Sequence, residues 1–177
     1  MSGLFAALML RQRGFEVDVY ERVDSEMAGR GAGILAQPVV AQVLHRLGLP
    51  TADLGVECTT RRILDIEGRT VCEIDIPQTL TAWERLYRIL RDGFPAERYH
   101  RGVGLKGFEQ SADAVIAYFS DGRSVEAELL VGADGIRSTV RQQCLPELSP
   151  LYAGYVAWRA LIAEAAATEK TVDTIRG

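Results

Sequence analysis

The stretch of residues 129–141 constrains the fold of this 177-residue chain more than any other. An apolar run leads directly into an acid and a glycine, Asp134 and Gly135, and a helical segment with two arginines follows. An acid at the carboxyl end of a buried strand lies where open α/β sheets bind ligands, and the glycine allows a turn that brings backbone N–H groups near phosphates. The pattern predicts a strand, a turn and a helix at a ligand site. The alternative is that Asp134 only caps the helix.

The first half of the chain predicts three helices and a strand. Small or apolar residues at helical spacing predict helices over residues 3–13, 38–47 and about 82–90. Strict alternation of apolar and polar residues predicts a strand over residues 15–21. The segment 22–33 has no period and predicts a turn-rich connection.

Strands dominate the rest of the pattern. Two strands over residues 61–66 and 71–76 are predicted around a turn at Glu67 and Gly68. A meander of three strands is predicted over 104–109, 114–119 and 124–131, with a turn at Asp121 and Gly122. A short helix over 136–143 and a last strand over 152–162 are predicted after it. This order is typical of an α/β, Rossmann-like dinucleotide-binding domain with an antiparallel β insertion.

Composition excludes several classes of protein. With 47% hydrophobic and 25% charged residues, the chain is long enough for one core or for one domain and part of another. Its net charge of -4 offers no basic field for a nucleic acid. The sequence contains no apolar stretch of about 20 residues and no signal pattern, so we expect no membrane partner and a cytoplasmic location.

The cysteines and histidines predict neither a disulfide framework nor a metal site. Cys58, Cys72 and Cys144 are odd in number and irregularly spaced, as expected of reduced thiols. His45 and His100 are far apart, and neither has cysteines or carboxylates at ligand spacing.

Two residues near the N-terminus suggest one half of a dinucleotide site. Gly3 would be the last glycine of a Gly-x-Gly-x-x-Gly turn, which brings the N-terminal N–H groups of a helix toward a pyrophosphate. Glu21 ends the next strand 18 residues later, close to the spacing of about 20 expected for an acid that binds a ribose diol. A solvated charge at the strand end is an equally good interpretation of Glu21.

A glycine-dense loop with one cation follows, Arg30-Gly31-Ala32-Gly33-Ile34. Its backbone could approach a cofactor closely while the guanidinium binds phosphate or ribose oxygens. Taken by itself, an ordinary surface loop is the better interpretation.

Several segments carry a family resemblance. Residues 132–138 (GADGIRS) resemble the Asp-Gly fingerprint of the class A flavoprotein monooxygenases, a family related to para-hydroxybenzoate hydroxylase. Residues 19–22 (VYER) resemble the ribose-binding strand end of that family, and residues 30–34 (RGAGI) its flavin-side loop. The resemblance extends over nearly the whole chain. It is closest to the dihydroxypyridine hydroxylase branch, through residues 97–100 (ERYH) and 152–159 (YAGYVAWR).

This resemblance implies FAD and NAD(P)H as cofactors, and a small phenolic or hydroxypyridine-type aromatic and O2 as substrates. The flavin performs the difficult step, while protein groups bind and orient it. Relatives of this kind are often homodimers, so a homodimer is a further expectation. Two alternatives remain open: a noncatalytic remnant or binding module of the same fold, and another flavoprotein oxidoreductase that binds two dinucleotides.

The resemblance also implies a set of cofactor-binding residues, whereas it assigns no catalytic residue and no metal ligand. The implied cofactor-binding residues are Gly3, Glu21, Arg22, Arg30, Gly31, Gly33, Gly132, Asp134 and Gly135. Glu21 would bind the adenosine ribose, Arg30 the ribose or phosphate region, and Asp134 with its glycines both FAD and the nicotinamide cofactor.

One position departs from the family pattern. Many members carry an arginine at the start of the third helix that reaches the pyrophosphate, but Trp83 stands at that position. Arg85 or Arg88 would project from another face of the helix. Packing of Trp83 in the core is an equally good interpretation.

The resemblance further implies that segments are missing at both ends. Residues 1–150 would form an FAD-binding domain without its first strand, with an insertion at about 60–77 on the substrate side, and residues 151–177 would begin a truncated substrate domain. Without that central parallel strand, its two neighbours would lose their ladder partners, and each buried unpaired backbone group costs about 1–3 kcal/mol. We therefore expect the 177-residue chain to bind FAD poorly or not at all, and not to hydroxylate.

Overall fold

The computed structural model describes residues 1–25, 27, 33–52, 54–157, 163–169 and 171–172. Helices and strands alternate in the first half of this part, and strands dominate the second. The elements are α1 (Ser2–Gln12), β1 (Val19–Glu21), β2 (Gly33–Ala36), α2 (Pro38–Arg46), β3 (Val56–Leu64), β4 (Thr70–Ala82), α3 (Trp83–Asp92), β5 (Tyr99–Arg101), β6 (Leu105–Gln110), β7 (Val115–Phe119), β8 (Ser124–Ala127) and α4 (Thr139–Cys144).

The strands of the described residues form three separate sheets. β1 and β5 make a parallel pair, in which Tyr20 lies opposite His100. β2, β4 and β3 form an antiparallel sheet in that order, and β6, β7 and β8 form an antiparallel meander. The predicted α/β class with an antiparallel insertion and the predicted meander are both confirmed.

The three predicted helices of the first half are confirmed, and their apolar faces make the main core. Leu44 of α2 and Leu90 of α3 are both 0% exposed. They pack with Leu4 and Ala7 of α1, which repeat at the spacing that brings side chains to one face of a helix. Trp83 packs against the same cluster, as the core interpretation predicts.

A second contact joins the parallel pair to the meander. The ring of Tyr20 lies between two others, with centroids 4.7 Å from His100 and 4.2 Å from Phe119. The Nε2 atom of His100 is 2.8 Å from a carboxylate oxygen of Asp18. These contacts fix the carboxyl end of β1 against the sheet that leads into the Asp134 segment.

Some predicted strands are longer or shorter in the structure. The strand predicted over 15–21 begins only at Val19, where pairing with β5 starts. The hairpin strands predicted over 61–66 and 71–76 extend to β3 and β4, because β4 also pairs with β2. Both β2 and the three-residue β5 went unpredicted, since neither is long enough to display an alternating pattern.

Three predictions in the second half of the chain are wrong in part. The strand predicted over 124–131 ends at Ala127, because the next four residues find no ladder partner among the described residues. The helix predicted from residue 136 begins at Thr139. Residues 152–157 of the predicted last strand are exposed and not extended into a sheet, and 158–162 lie outside the described residues.

Membrane-spanning helices, metal-binding clusters and cysteines are the remaining features of the described residues. No helix in this part of the chain combines the length and apolar character that crossing a membrane requires. Across the same ranges, no three His, Cys, Asp or Glu side chains are grouped to hold a metal ion. The three cysteines are free thiols.

Candidate cofactor site

Asp134 shapes the turn that precedes α4. The hydroxyl group of Ser138 donates a hydrogen bond to its carboxylate over 2.5 Å, and the N–H groups of Thr139 and Val140 donate over 2.7 and 3.3 Å. The oxygen of Ser138 in turn accepts a hydrogen bond from the N–H of Arg141 over 2.9 Å. Ser138 is therefore the N-cap of α4, and Asp134 supports it by accepting hydrogen bonds from the first two N–H groups of the helix, so the alternative interpretation holds in part.

The same contacts control the charge of Asp134. Burial by itself would raise the pKa of this carboxyl group. Hydrogen bonds from the Ser138 hydroxyl and from the N–H groups of Val140 and Thr139 outweigh burial, so the pKa is lowered. The turn thus carries a negative charge at neutral pH.

The two glycines of the turn have different roles. A Cβ added to Gly132 would lie 2.9 Å from the Cβ of Val140, so only glycine lets α4 pack this closely. Gly135 has a φ of +76°, which favours glycine, and no heavy atom lies within 4 Å of the position of an added Cβ. The space beside its Cα is therefore open.

The start of α1 meets this turn. A Cβ added to Gly3 would lie 3.3 Å from the Cβ of Ala133. The two halves of the predicted cofactor site, about 130 residues apart in sequence, are therefore in contact. Close approach of a helix start and a glycine turn fits the diphosphate of a dinucleotide, because both present backbone N–H groups to it.

Glu21 lies at the adjoining end of β1. One of its carboxylate oxygens accepts a hydrogen bond from the N–H of Val23 over 2.9 Å. Burial lowers the pKa of the Met1 amino group, and the negative charge of Glu21 opposes that effect. Glu21 therefore lies near the N-terminal end of α1.

A contact that no sequence pattern reveals holds α4 in place. The side-chain amide of Gln143 donates a hydrogen bond to the carbonyl oxygen of Phe108 and accepts one from its N–H over 3.1 Å. The hydroxyl group of Thr139 also donates to the carbonyl oxygen of Leu105 over 3.5 Å. α4 is thereby fixed to β6. A glutamine on a helix carries no sequence signal that could have revealed this.

The remaining predicted site residues lie apart from this cluster or outside the described residues. Gly33 opens β2 opposite Ala82, on the antiparallel sheet. Arg22 is exposed, and its Cβ lies 3.3 Å from the position of a Cβ added to Gly104, on the side of the meander. The predicted residues Arg30 and Gly31 lie outside the described residues.

The start of α3 has Trp83 at the position where the family pattern has an arginine, and Arg85 is exposed two residues later. Trp83 stacks on Tyr87 with ring centroids 5.2 Å apart and an interplanar angle of 8°. Arg88 pairs with Glu84 on the same helix over 2.5 Å. Both side chains thus have partners within α3.

Asp134→Ala should lower the free energy of unfolding by about 2 kcal/mol, because it leaves the start of α4 without its acceptor. Since the pKa of Asp134 is lowered in the folded state, its stabilisation is complete above the unfolded pKa of about 3.9 and is lost as pH falls through the folded pKa. Urea denaturation of both proteins at pH 7 and in acid measures the difference, which should shrink in acid. The free energy of unfolding of Asp134→Asn, which keeps one acceptor oxygen, should lie between those of the wild type and Asp134→Ala. If wild type and Asp134→Ala were equally stable at pH 7, the role of the carboxylate would be contradicted.

Comparison with known proteins identifies the family. Residues 1–171 match the family described as FAD binding domain. The chain is 38% identical over 163 residues to 2,6-dihydroxypyridine 3-monooxygenase of Paenarthrobacter nicotinovorans, covering 92% of this chain and 41% of that protein. It is 33% identical over 178 residues to 3-amino-4-hydroxybenzoate 2-monooxygenase of Streptomyces cremeus, covering 92% and 44%.

A solved structure agrees with these relatives. The 2,6-dihydroxypyridine-3-hydroxylase of Arthrobacter nicotinovorans superimposes with a TM-score of 0.79 at 38% identity, over 86% of this chain and 39% of that one. The chain thus spans less than half the length of these proteins. FAD is the cofactor that defines the family. The chain belongs to the FAD binding domain family, and the relatives to which it is similar are named as monooxygenases.

Proposed function

We propose that this protein works as an FAD-dependent, NAD(P)H-using monooxygenase that hydroxylates a phenolic or hydroxypyridine-type aromatic ring with O2. The contact between Gly3 and Ala133 is the observation that carries the proposal, because it joins a helix start to an open glycine turn. The names of the relatives, a dihydroxypyridine and an aminohydroxybenzoate monooxygenase, support the substrate class.

The residues of the chain would bind and orient the cofactor. Bound FAD would supply the electron transfer from NAD(P)H and the activation of O2. The N–H groups at the start of α1 and in the turn at Gly135 would face the diphosphate. The carboxylate of Glu21 would accept hydrogen bonds from the adenosine ribose, and Asp134 would hold the turn in shape through its own contacts with α4.

We also propose that the 177-residue chain by itself binds FAD weakly and does not hydroxylate. The apolar side chains beside the turn are open to solvent: Leu129 is 56% exposed, Val131 47% and Ile136 73%. Oxygen transfer to a ring requires a site from which water is excluded. Residues 1–150 would be the FAD-binding domain, with 60–77 on the substrate side and 151–177 the start of a substrate domain.

FAD titration of the purified chain tests cofactor binding. Flavin fluorescence should change weakly, with a Kd on the order of 100 µM, and Glu21→Gln should weaken binding further because a neutral amide is a poorer acceptor for ribose hydroxyls. Glu126→Gln is the matched control, since Glu126 is exposed on β8, away from β1. Equal affinity of the Glu21 variant would contradict the ribose contact, and tight binding would contradict the proposed weakness of the isolated chain.

The reaction class is tested on a protein that carries this domain at the full length of its relatives. Hydroxypyridines or phenols should stimulate NAD(P)H oxidation, with incorporation of one oxygen atom into the ring. Flavin reduction without stimulation by any aromatic would favour another flavoprotein oxidoreductase. A protein that binds FAD and is not reduced by NADH or NADPH would favour a noncatalytic binding module.

A further inference from the structure

The side chain of Gln143 takes the place of a neighbouring strand beside β6. Its amide nitrogen donates a hydrogen bond to the carbonyl oxygen of Phe108, and its amide oxygen accepts one from the N–H group of Phe108 over 3.1 Å. In an antiparallel ladder, a residue exchanges these two bonds with the residue opposite it. One side chain of α4 therefore occupies both backbone groups that Phe108 directs away from β7.

α4 contacts β6 at a second point on the same face. Thr139 precedes Gln143 by four residues, a spacing that brings two side chains to one face of a helix. Its hydroxyl group donates to the carbonyl oxygen of Leu105 over 3.5 Å. The contact at Phe108 is the stronger of the two, because it consists of two hydrogen bonds at shorter distances. Together they fix the direction of α4 as well as its position.

Another face of α4 holds the turn of the candidate cofactor site. The N–H group of Val140 donates to the carboxylate of Asp134 over 3.3 Å, and the Cβ of Val140 lies 2.9 Å from the position of a Cβ added to Gly132. The guanidinium group of Arg141 donates to the carbonyl oxygen of Ile136 over 2.5 Å. Because α4 has only six residues, a displacement of its β6 face would also displace the turn.

The start of β6 meets the other half of the candidate site. The carbonyl oxygen of Glu21 accepts a hydrogen bond from the N–H group of Val103 over 3.0 Å, two residues before β6 begins. The N–H group of the next residue, Gly104, donates to the hydroxyl oxygen of Ser120 over 3.0 Å, and the N–H group of Ser120 donates back to the carbonyl oxygen of Gly104 over 2.8 Å. Glu21 is thereby fixed to the segment that leads into β6.

β6 therefore connects the two halves of the candidate site. Its ladder with β7 fixes the residues between Leu105 and Phe108, so the strand keeps a constant distance between its contacts with Glu21 and with α4. We propose that Gln143 is a positioning residue of this site, which sets the separation between the turn at Gly135 and the carboxylate of Glu21. The inference rests on the proposed function, because it requires both groups to bind one FAD molecule.

The FAD affinity of a protein that carries this domain at the full length of its relatives tests the proposal. Gln143→Leu keeps a side chain of similar size and removes both hydrogen bonds to Phe108, so it should raise the Kd for FAD about tenfold. Gln142→Leu is the matched control, because Gln142 is the neighbouring exposed glutamine of α4. It should leave the Kd within about twofold of wild type. Urea midpoints check that both variants are folded at the temperature of the titration.

A double-mutant cycle with Glu21 separates positioning from a general loss of stability. In a protein that already carries Glu21→Gln, the ribose contact that depends on the correct separation is weakened. Gln143→Leu should then raise the Kd only about threefold or less. A side chain that contributes to stability alone would raise the Kd by the same factor in both backgrounds. Equal factors would overturn the proposal.

Hydrogen exchange of the purified 177-residue chain tests the same contact without a cofactor. In Gln143→Leu, the amides of Thr139 and Val140, which bond to Asp134, should exchange faster, while those of β8 should not change. Unchanged exchange at these two amides would overturn the proposal. A full-length wild-type protein that does not bind FAD would overturn the proposed function and this inference together. FAD binding with an unchanged Kd in Gln143→Leu would overturn the positioning role alone.

Discussion

Alanine in place of Gly55 is expected to lower the free energy of unfolding by about 3 kcal/mol, at the upper end of the usual cost of overpacking. An added Cβ at this position would lie 2.1 Å from the carbonyl oxygen of Leu80 and 2.7 Å from its carbonyl carbon. Both atoms belong to the backbone of β4, so relief requires moving the strand that pairs with β2 and β3. The substitution should therefore disturb the whole antiparallel sheet.

Gly33→Ala provides the matched control on the same sheet. Its added Cβ would lie 3.9 Å from the carbonyl oxygen of Thr81, an ordinary van der Waals distance. Urea denaturation followed by circular dichroism measures both variants. Gly33→Ala should change the free energy of unfolding by less than about 1 kcal/mol, since surface positions without a steric conflict tolerate substitution. If the two variants were equally stable, the close approach at Leu80 would not constrain the fold.

Leu90→Ala is expected to cost about 3–4 kcal/mol, in the middle of the range measured for buried leucines. Leu90 is 0% exposed, and its cluster joins α3 to α1 and α2. Removing three carbons there loses hydrophobic burial and leaves a cavity. The helices that support both Gly3 and Glu21 depend on this packing, so the start of α1 should become less well ordered as well.

The measurement is the urea midpoint at constant m value, with Leu35→Ala as the control. Leu35 is 42% exposed on β2, so the same truncation should cost about 1 kcal/mol or less. A loss at Leu90 no larger than the loss at Leu35 would show that the helical core is not the main source of stability.

The helices could be predicted from sequence because their signal is local. The spacing of Gly3, Ala6, Ala7 and Leu10 predicts α1, although its buried residues are Leu4, Ala7 and Leu8. Pro38 marks the first turn of α2. The turn at Gly68, with a φ of +79°, also follows from residue type. Such features need only neighbours within a few residues.

The strand bounds could not be predicted because they depend on partners far away in sequence. β5 exists through its pairing with β1, which is separated from it by almost eighty residues. The apolar segment 129–131 has strand-forming residues and still lacks a ladder within the described part of the chain. Alternation of apolar and polar residues identifies segments able to form a strand, whereas pairing with an adjacent strand determines whether they form one.

The two motifs of the candidate site could be predicted from the sequence, but their arrangement in space could not. Gly3 and the turn at Asp134 can be recognised in the sequence, and the structure brings the two together at Ala133. The sequence leaves the role of Asp134 open between ligand binding and capping, because a carboxylate before a helix suits both. The anchor at Gln143 depends on a β6 edge that no local pattern reveals.

The turn before α4 also has a consequence for how such a site can change over time. Its hydrogen bonds come from within eight residues: Asp134 accepts from Ser138, Thr139 and Val140, and Arg141 donates to the carbonyl oxygen of Ile136 over 2.5 Å. Because these contacts are so local, the same short segment can adopt this shape in chains that otherwise differ in sequence. Other parts of a protein can then change in sequence without altering the shape of this turn.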